Sequence, residues 1–228
     1  MTEPLRFGLL LFPRLTQLDM TGPFEVFSRV PGGQVHLVWK TRDAVRSDTG
    51  LAMLPDMTFA ECPQFDVVCV PGGPGVAALM EDEEVLAFLR AQAARARFVT
   101  SVCTGALVLG AAGLLKGVRA TTHWASHDFL APLGAQPVHA RWVRDGRVVT
   151  GGGVTAGIDF ALALVAEMLS PEAAQAIQLQ IEYAPAPPFA AGSPGTAPPA
   201  VLAAARARGA GMRAEREALV ARVAARLA

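Results

Sequence analysis

The stretch Phe98-Val-Thr-Ser-Val-Cys-Thr-Gly-Ala-Leu-Val-Leu-Gly-Ala-Ala-Gly-Leu-Leu115 constrains the fold more than any other part of the chain. Its opening β-branched and aromatic residues favour a buried strand. Past Gly105 the pattern changes to small and aliphatic residues, and 106–115 read as an apolar helix. Cys103 falls at the junction. A side chain on a sharp strand-to-helix turn projects above the sheet, where a substrate can reach it. The first N–H groups of the helix lack partners within it and point to the same place. With the helix dipole they favour a thiolate and can hold a developing negative charge. The pattern is a nucleophile elbow with cysteine in the serine position. A free cysteine also packs well as a small buried hydrophobe, so the elbow alone leaves a reactive and a structural thiol equally open.

A strand that feeds a helix in this way suits a mostly parallel sheet flanked by helices, and the rest of the chain repeats the alternation. Phe7-Gly-Leu-Leu-Leu-Phe12 is a continuous apolar run of strand length, ended by Pro13. Asp19 is expected in the turn beyond it, with Pro23 in the first turn of the following helix. α/β sheets place their chemistry beyond the carboxyl ends of the strands, although an Asp ahead of a helix is also a common cap. Residues 35–40 read as a second strand, with His36 as a packed or edge histidine, and 45–59 as a small hairpin or meander. Asp66-Val-Val-Cys-Val-Pro-Gly-Gly-Pro-Gly75 is a buried strand ending in a Gly/Pro turn. Gly72, Gly73 and Gly75 let the backbone come close to a ligand or a neighbouring loop. Amides there could join those beyond Cys103 in an oxyanion hole. No Gly-Lys-Ser/Thr follows, so this is not a phosphate loop. Cys69, in the strand, and Cys62, in a polar loop, read as structural.

Residues 81–95 form an amphipathic pattern, acidic at its start and basic at its end, as the helix dipole prefers. Arg119-Ala-Thr-Thr-His-Trp124 reads as a short strand and exit turn. His123 is the histidine to test as a base beside the thiol, although a structural hydrogen bond or a subunit contact is the commoner role. Residues 141–150 contain a hairpin turn at Asp145-Gly146, and Gly151-Gly-Gly-Val-Thr-Ala-Gly leads into another helix. Residues 184–194 are too rich in proline for regular structure. In the tail, Leu219, Val223 and Leu227 recur at helical spacing and can pack one face, while Glu215 and Glu217 among the arginines suggest a solvated outer face. The expected organisation is an α/β domain over 1–190, with a proline-rich segment and C-terminal helix over 191–228 packed on it.

Twenty basic and twenty acidic residues cancel, so no global field points to nucleic acid or an anionic membrane. The longest apolar run, 102–115, is too short to cross a bilayer, and the N-terminus shows no basic-then-apolar leader. The three cysteines lack metal-ligand spacing and cannot all pair within one chain, which suits a reducing cytoplasm.

With these residues in view, the chain resembles the ThiJ/PfpI superfamily, which has a class I glutamine-amidotransferase-like, flavodoxin-like fold. The resemblance rests on Leu18-Asp-Met-Thr-Gly-Pro-Phe-Glu-Val-Phe27, Val70-Pro-Gly-Gly-Pro-Gly75, Ser101-Val-Cys-Thr-Gly105, Arg119-Ala-Thr-Thr-His-Trp124 and Gly151-Gly-Gly-Val-Thr-Ala-Gly-Ile-Asp159. Within the superfamily it is most similar to the isocyanide hydratase branch, through Gln178-Leu-Gln-Ile-Glu-Tyr-Ala-Pro-Ala-Pro-Pro-Phe189 as well. The resemblance implies Cys103 as nucleophile, Asp19 as its acidic partner, and Thr104 with Gly73 at the anion and substrate site. It implies a neutral isocyanide as substrate, a homodimer, and no cofactor or metal. Many superfamily members carry Glu at the acidic position and His after the cysteine. Asp19 and Thr104 stand there in this chain, which argues against peptidase or glyoxalase chemistry. Two other functions share the cysteine. One is a ligand-sensing domain like those fused to AraC-type regulators, against which the lack of a helix-turn-helix pattern speaks. The other is a redox or stress protein of glyoxalase or deglycase type.

Overall fold

Residues 3–227 are described by a computed structural model. In chain order the first elements are β1 (Arg6–Leu10), α1 (Gln17–Phe27), β2 (Gln34–Trp39), β3 (Val45–Arg46), β4 (Ala52–Met53) and β5 (Met57–Thr58). Then come β6 (Val67–Val70), α2 (Val76–Leu79), α3 (Glu83–Arg95), β7 (Phe98–Val102), α4 (Gly105–Ala111) and β8 (Arg119–Ala120). A 3-10 helix (Trp124–Phe129), β9 (Gln136–Pro137), β10 (Trp142–Asp145), β11 (Val148–Gly151), α5 (Ala156–Met168), α6 (Pro171–Gln180) and α7 (Pro199–Leu227) complete the chain. The main sheet has the order β10-β11-β7-β6-β1-β2-β5. All its pairings are parallel except β10–β11, the hairpin turned at Asp145-Gly146.

The central strands are apolar on both faces because helices cover both. Leu9 of β1 lies opposite Cys69 of β6, which lies opposite Thr100 of β7. All three are fully buried. The fold is therefore the mostly parallel, helix-flanked flavodoxin-like sheet that the strand–helix alternation predicts.

Helix α1 departs from the expected start. Thr16 takes the N-cap position, so Asp19 lies within the first turn of the helix and Pro23 lies in its interior. Pro23 has no N–H to give to the carbonyl of Asp19 four residues earlier. Its ring instead faces α5, where a Cβ on Gly157 would stand 2.8 Å from Pro23 Cδ. Close contact of α1 with α5 thus outweighs the usual penalty of an interior proline.

Other expectations shift in detail. Segment 45–59 is a two-stranded β3–β4 pair, followed by β5 on the edge of the main sheet. Helix α4 ends at Ala111, earlier than its apolar run, and Gly113 beyond it has φ +77°. Of residues 119–124 only β8 is extended, and it pairs with β9 outside the main sheet. Helix α7 packs on the 3-10 helix and on α4 through Leu219, Val220 and Val223.

Candidate active site

Cys103 follows β7 directly and has φ +54°, a left-handed conformation that non-glycine residues avoid. Such a backbone costs about 1–3 kcal/mol and persists only where its surroundings fix it. Both its backbone groups are tied down. Its N–H donates to Gly151 O at 3.0 Å, and its carbonyl accepts from Thr122 Oγ1 at 2.7 Å. Gly105, two residues on, passes against β6: a Cβ there would stand 2.0 Å from Val70 O. The glycine lets α4 begin so close to the neighbouring strand that the turn at Cys103 has to be sharp.

The turn after β6 meets this elbow. Gly72 N–H donates to Asp19 Oδ2 at 2.8 Å, and Gly73 N–H donates to Thr104 Oγ1 at 3.0 Å. A Cβ on Gly72 would lie 2.6 Å from Thr104 N and 2.7 Å from Asp19 Oδ2. Asp19, Thr104, Gly73 and Cys103 are thereby brought together from three separate segments. One expectation changes here. The Gly73 amide does not stand free for an anion, because the Thr104 hydroxyl occupies it. The Thr104 amide and hydroxyl both act to lower the thiol pKa.

Asp19 is completely buried, and among the described residues its Oδ1 has no hydrogen-bond partner. Burial raises its pKa to about 7. The Gly72 amide and the Cys103 thiol pull in the opposite direction, and Asp48 adds a small upward push. The helix N-terminus alone would lower the thiol pKa. Burial pushes it up instead, and a charged Asp19 adds to this, against the opposing bonds from Thr104. The two groups interact, so above neutrality they hold a single proton between them and titrate as a unit.

The other thiols stand outside the elbow. Cys69 is fully buried and Cys62 half-buried, its Sγ donating to Thr58 O, and both thiols are pushed up to about 12 by burial. His36 sits 3.4 Å from Asp56 at the far side of the sheet. His123 caps the 3-10 helix, its Nδ1 accepting the Ala125 N–H at 3.4 Å, and burial and then Arg216 lower its pKa. Among the described residues no group of three or more His, Cys, Asp or Glu is arranged to hold a metal, and no helix is long and apolar enough to cross a membrane.

The charge pattern of the tail misled on one residue. Arg216 is buried, 8% exposed, rather than on a solvated face. It lies three residues before Leu219 and seven before Val223, so helical arithmetic places it on the apolar stripe. That spacing was the available signal; the interleaved glutamates hid it.

Residues 6–167 match the model of the DJ-1/PfpI family. An isonitrile hydratase of Pseudomonas putida is 60% identical over 223 residues, 98% of this chain and 98% of the relative. A crystal structure of a ThiJ/PfpI family protein from Pseudomonas syringae superposes with a TM-score of 0.93 at 45% identity, over 95% of this chain and 90% of that one. An HTH-type transcriptional regulator of Pseudomonas aeruginosa is 30% identical over 79% of this chain and 51% of the regulator.

Proposed function

The chain belongs to the DJ-1/PfpI family, and from that premise we propose that it is an enzyme that hydrates isocyanides, R–N≡C plus water giving the N-substituted formamide. The observation that carries the reading is its likeness, from end to end, to an isonitrile hydratase. The buried thiol–carboxyl pair is suited to the same chemistry.

The terminal carbon of an isocyanide accepts a nucleophile at the same time as a proton. In the first step Cys103 Sγ forms a bond to that carbon, and Asp19 delivers to it the proton the pair had shared. The product is a thioimidate, R–N=CH–S–Cys103, and Asp19 is left as a carboxylate. In the second step Asp19 takes a proton from water as the oxygen adds to the thioimidate carbon and passes it to the nitrogen. The C–S bond then breaks, R–NH–CHO leaves, and the remaining proton returns to the pair. One group acts first as acid and then as base, which a carboxyl with a pKa of about 7 can do at neutral pH. Thr104, its hydroxyl fixed by the Gly73 amide, favours the charged form of the sulfur.

Residues 1–190 carry this site, with 191–228 as a segment packed on the same domain. The enzyme works as a cytoplasmic homodimer on a small molecule, without nucleic acid or membrane. The balanced charge argues against nucleic acid and the free cysteines suit a reducing compartment. The test is formamide formation from an alkyl isocyanide, followed by NMR. Chelator-treated wild-type protein should make formamide, and Cys103→Ala should make none. Consumption of methylglyoxal with no action on isocyanides would favour glyoxalase chemistry instead.

A further inference from the structure

A cavity of about 720 Å3 lies between the 3-10 helix and α7, and the reaction described above leaves it unused. His123 and Trp124 form one wall. The opposite wall is α7, where Ala205 and Gly209 leave room; a Cβ on Gly209 would meet nothing within 4 Å. Arg216 lines the same space.

Arg216 differs from its neighbours on this helix. Arg213 bonds to Asp128 at 2.5 Å, and Arg222 and Arg226 both reach Glu81. These pairs are exposed. Arg216 is 8% exposed, and its hydrogen bonds go to Ser126 Oγ at 3.0 Å and Met212 Sδ at 3.6 Å, both neutral. Among the described residues its Nε has no partner and no carboxylate pairs with it. A guanidinium removed from water without a counter-charge is costly, and the fork of its N–H donors matches a carboxylate.

The cavity also adjoins the elbow. His123 follows Thr122, whose hydroxyl holds the Cys103 carbonyl, and α7 packs on α4, which starts two residues after the cysteine. The cavity and the cysteine turn are thus neighbours in the fold, joined through Thr122 and His123 on one side and through α4 and α7 on the other.

We propose that this cavity receives the substituent of the isocyanide, and that Arg216 binds a carboxylate carried on that substituent. The preferred substrates are then short isocyano carboxylates, with neutral alkyl isocyanides as poorer ones. The inference rests on the isocyanide reading above and names its substrate class.

The test compares γ-isocyanobutanoate with its neutral amide on the full chain. Wild-type protein should favour the carboxylate by at least about tenfold in kcat/KM, mainly through KM. Arg216→Met should remove that preference, and Arg216→Lys should restore part of it. A measurement on wild-type protein alone guards against a variant that fails to fold. In that assay γ-formamidobutanoate should compete with a neutral isocyanide at least about tenfold better than γ-formamidobutanamide. Equal turnover of acid and amide by wild type, or a preference that Arg216→Met leaves intact, would overturn the carboxylate site while leaving isocyanide hydration standing. Failure to hydrate either compound would overturn both.

Discussion

The elbow and the seam between α7 and the 3-10 helix each bury an ionisable side chain with a polar atom that has no partner among the described residues, Asp19 Oδ1 in one and Arg216 Nε in the other. The space around them differs. At the elbow an added Cβ on Gly72 or Gly105 would collide with backbone or with Asp19 itself. At the seam an added Cβ on Gly209 would touch nothing. Closely fixed groups suit the step common to every substrate, where bonds and protons move over short distances. Open space beside a cation suits the part of the substrate that varies. On the proposed reading the molecule separates reaction from recognition, the first in the sheet-end turns of the family fold and the second in its C-terminal helix.

The largest effect expected from disturbing this contrast is kinetic. Asp19→Asn keeps the shape at the elbow but cannot carry the proton, so kcat for a neutral isocyanide should fall by about 10²–10⁴. Near-normal turnover in this variant would reduce Asp19 to a packing residue.

Glycine replacement tests the difference in space directly. Gly105→Ala pushes a methyl group towards Val70 O, which belongs to a central strand and cannot yield, and should cost about 3 kcal/mol in urea unfolding. Gly209→Ala, in an exposed helical position, should be neutral or up to about 1 kcal/mol stabilising. Similar losses at both positions would mean that the seam is as tightly packed as the elbow.

The same Asp19→Asn variant should fold more stably than wild type at alkaline pH. The folded-state pKa of Asp19 is raised from 3.8 to about 7, so the folded protein holds this proton more tightly than the unfolded chain. Wild-type stability from this group is therefore greatest below the lower value, declines as pH rises through the window, and is level above it. The full linkage is worth about 4 kcal/mol as an upper figure, less whatever Asn loses at the Gly72 amide. Melts at pH 9 and pH 4 should show an advantage of a few kcal/mol for Asn at the first and almost none at the second, on the order of the linkage figure. An advantage independent of pH would assign the effect to packing.

A smaller effect belongs to the thiol. The charge on Asp19 helps hold the Cys103 pKa up, so Asp19→Asn should speed alkylation of Cys103 by iodoacetamide at pH 8 by about tenfold. Cys62 and Cys69 should stay slow in both proteins. Unchanged labelling would show that the carboxyl does not govern the thiol.

The elbow was legible because it is local. A run of β-branched residues, a cysteine and a glycine-led helix follow one another in sequence, and backbone sterics dictate the turn. Asp19 was legible as a candidate, but its exact setting was not. Nothing local in the sequence tells that Pro23 is accepted inside α1, since the acceptance depends on Gly157, far along the chain. The use of the Gly73 amide by Thr104 is likewise a contact between distant segments. Arg216 was missed for a different reason. Its helical phase marks it as buried, but the alternation of charges around it reads as a solvated face, and only the packing of α7 on the 3-10 helix decides between the two.

The covalent bond between substrate carbon and Cys103 is the centre of this account, and mass spectrometry of acid-quenched enzyme tests it most directly. Wild-type protein mixed with an alkyl isocyanide should gain the mass of one substrate molecule, on the peptide that contains Cys103, before formamide release is complete. Formamide production by wild-type protein with no adduct on Cys103 at any quench time, together with undiminished turnover in Cys103→Ala, would contradict the account.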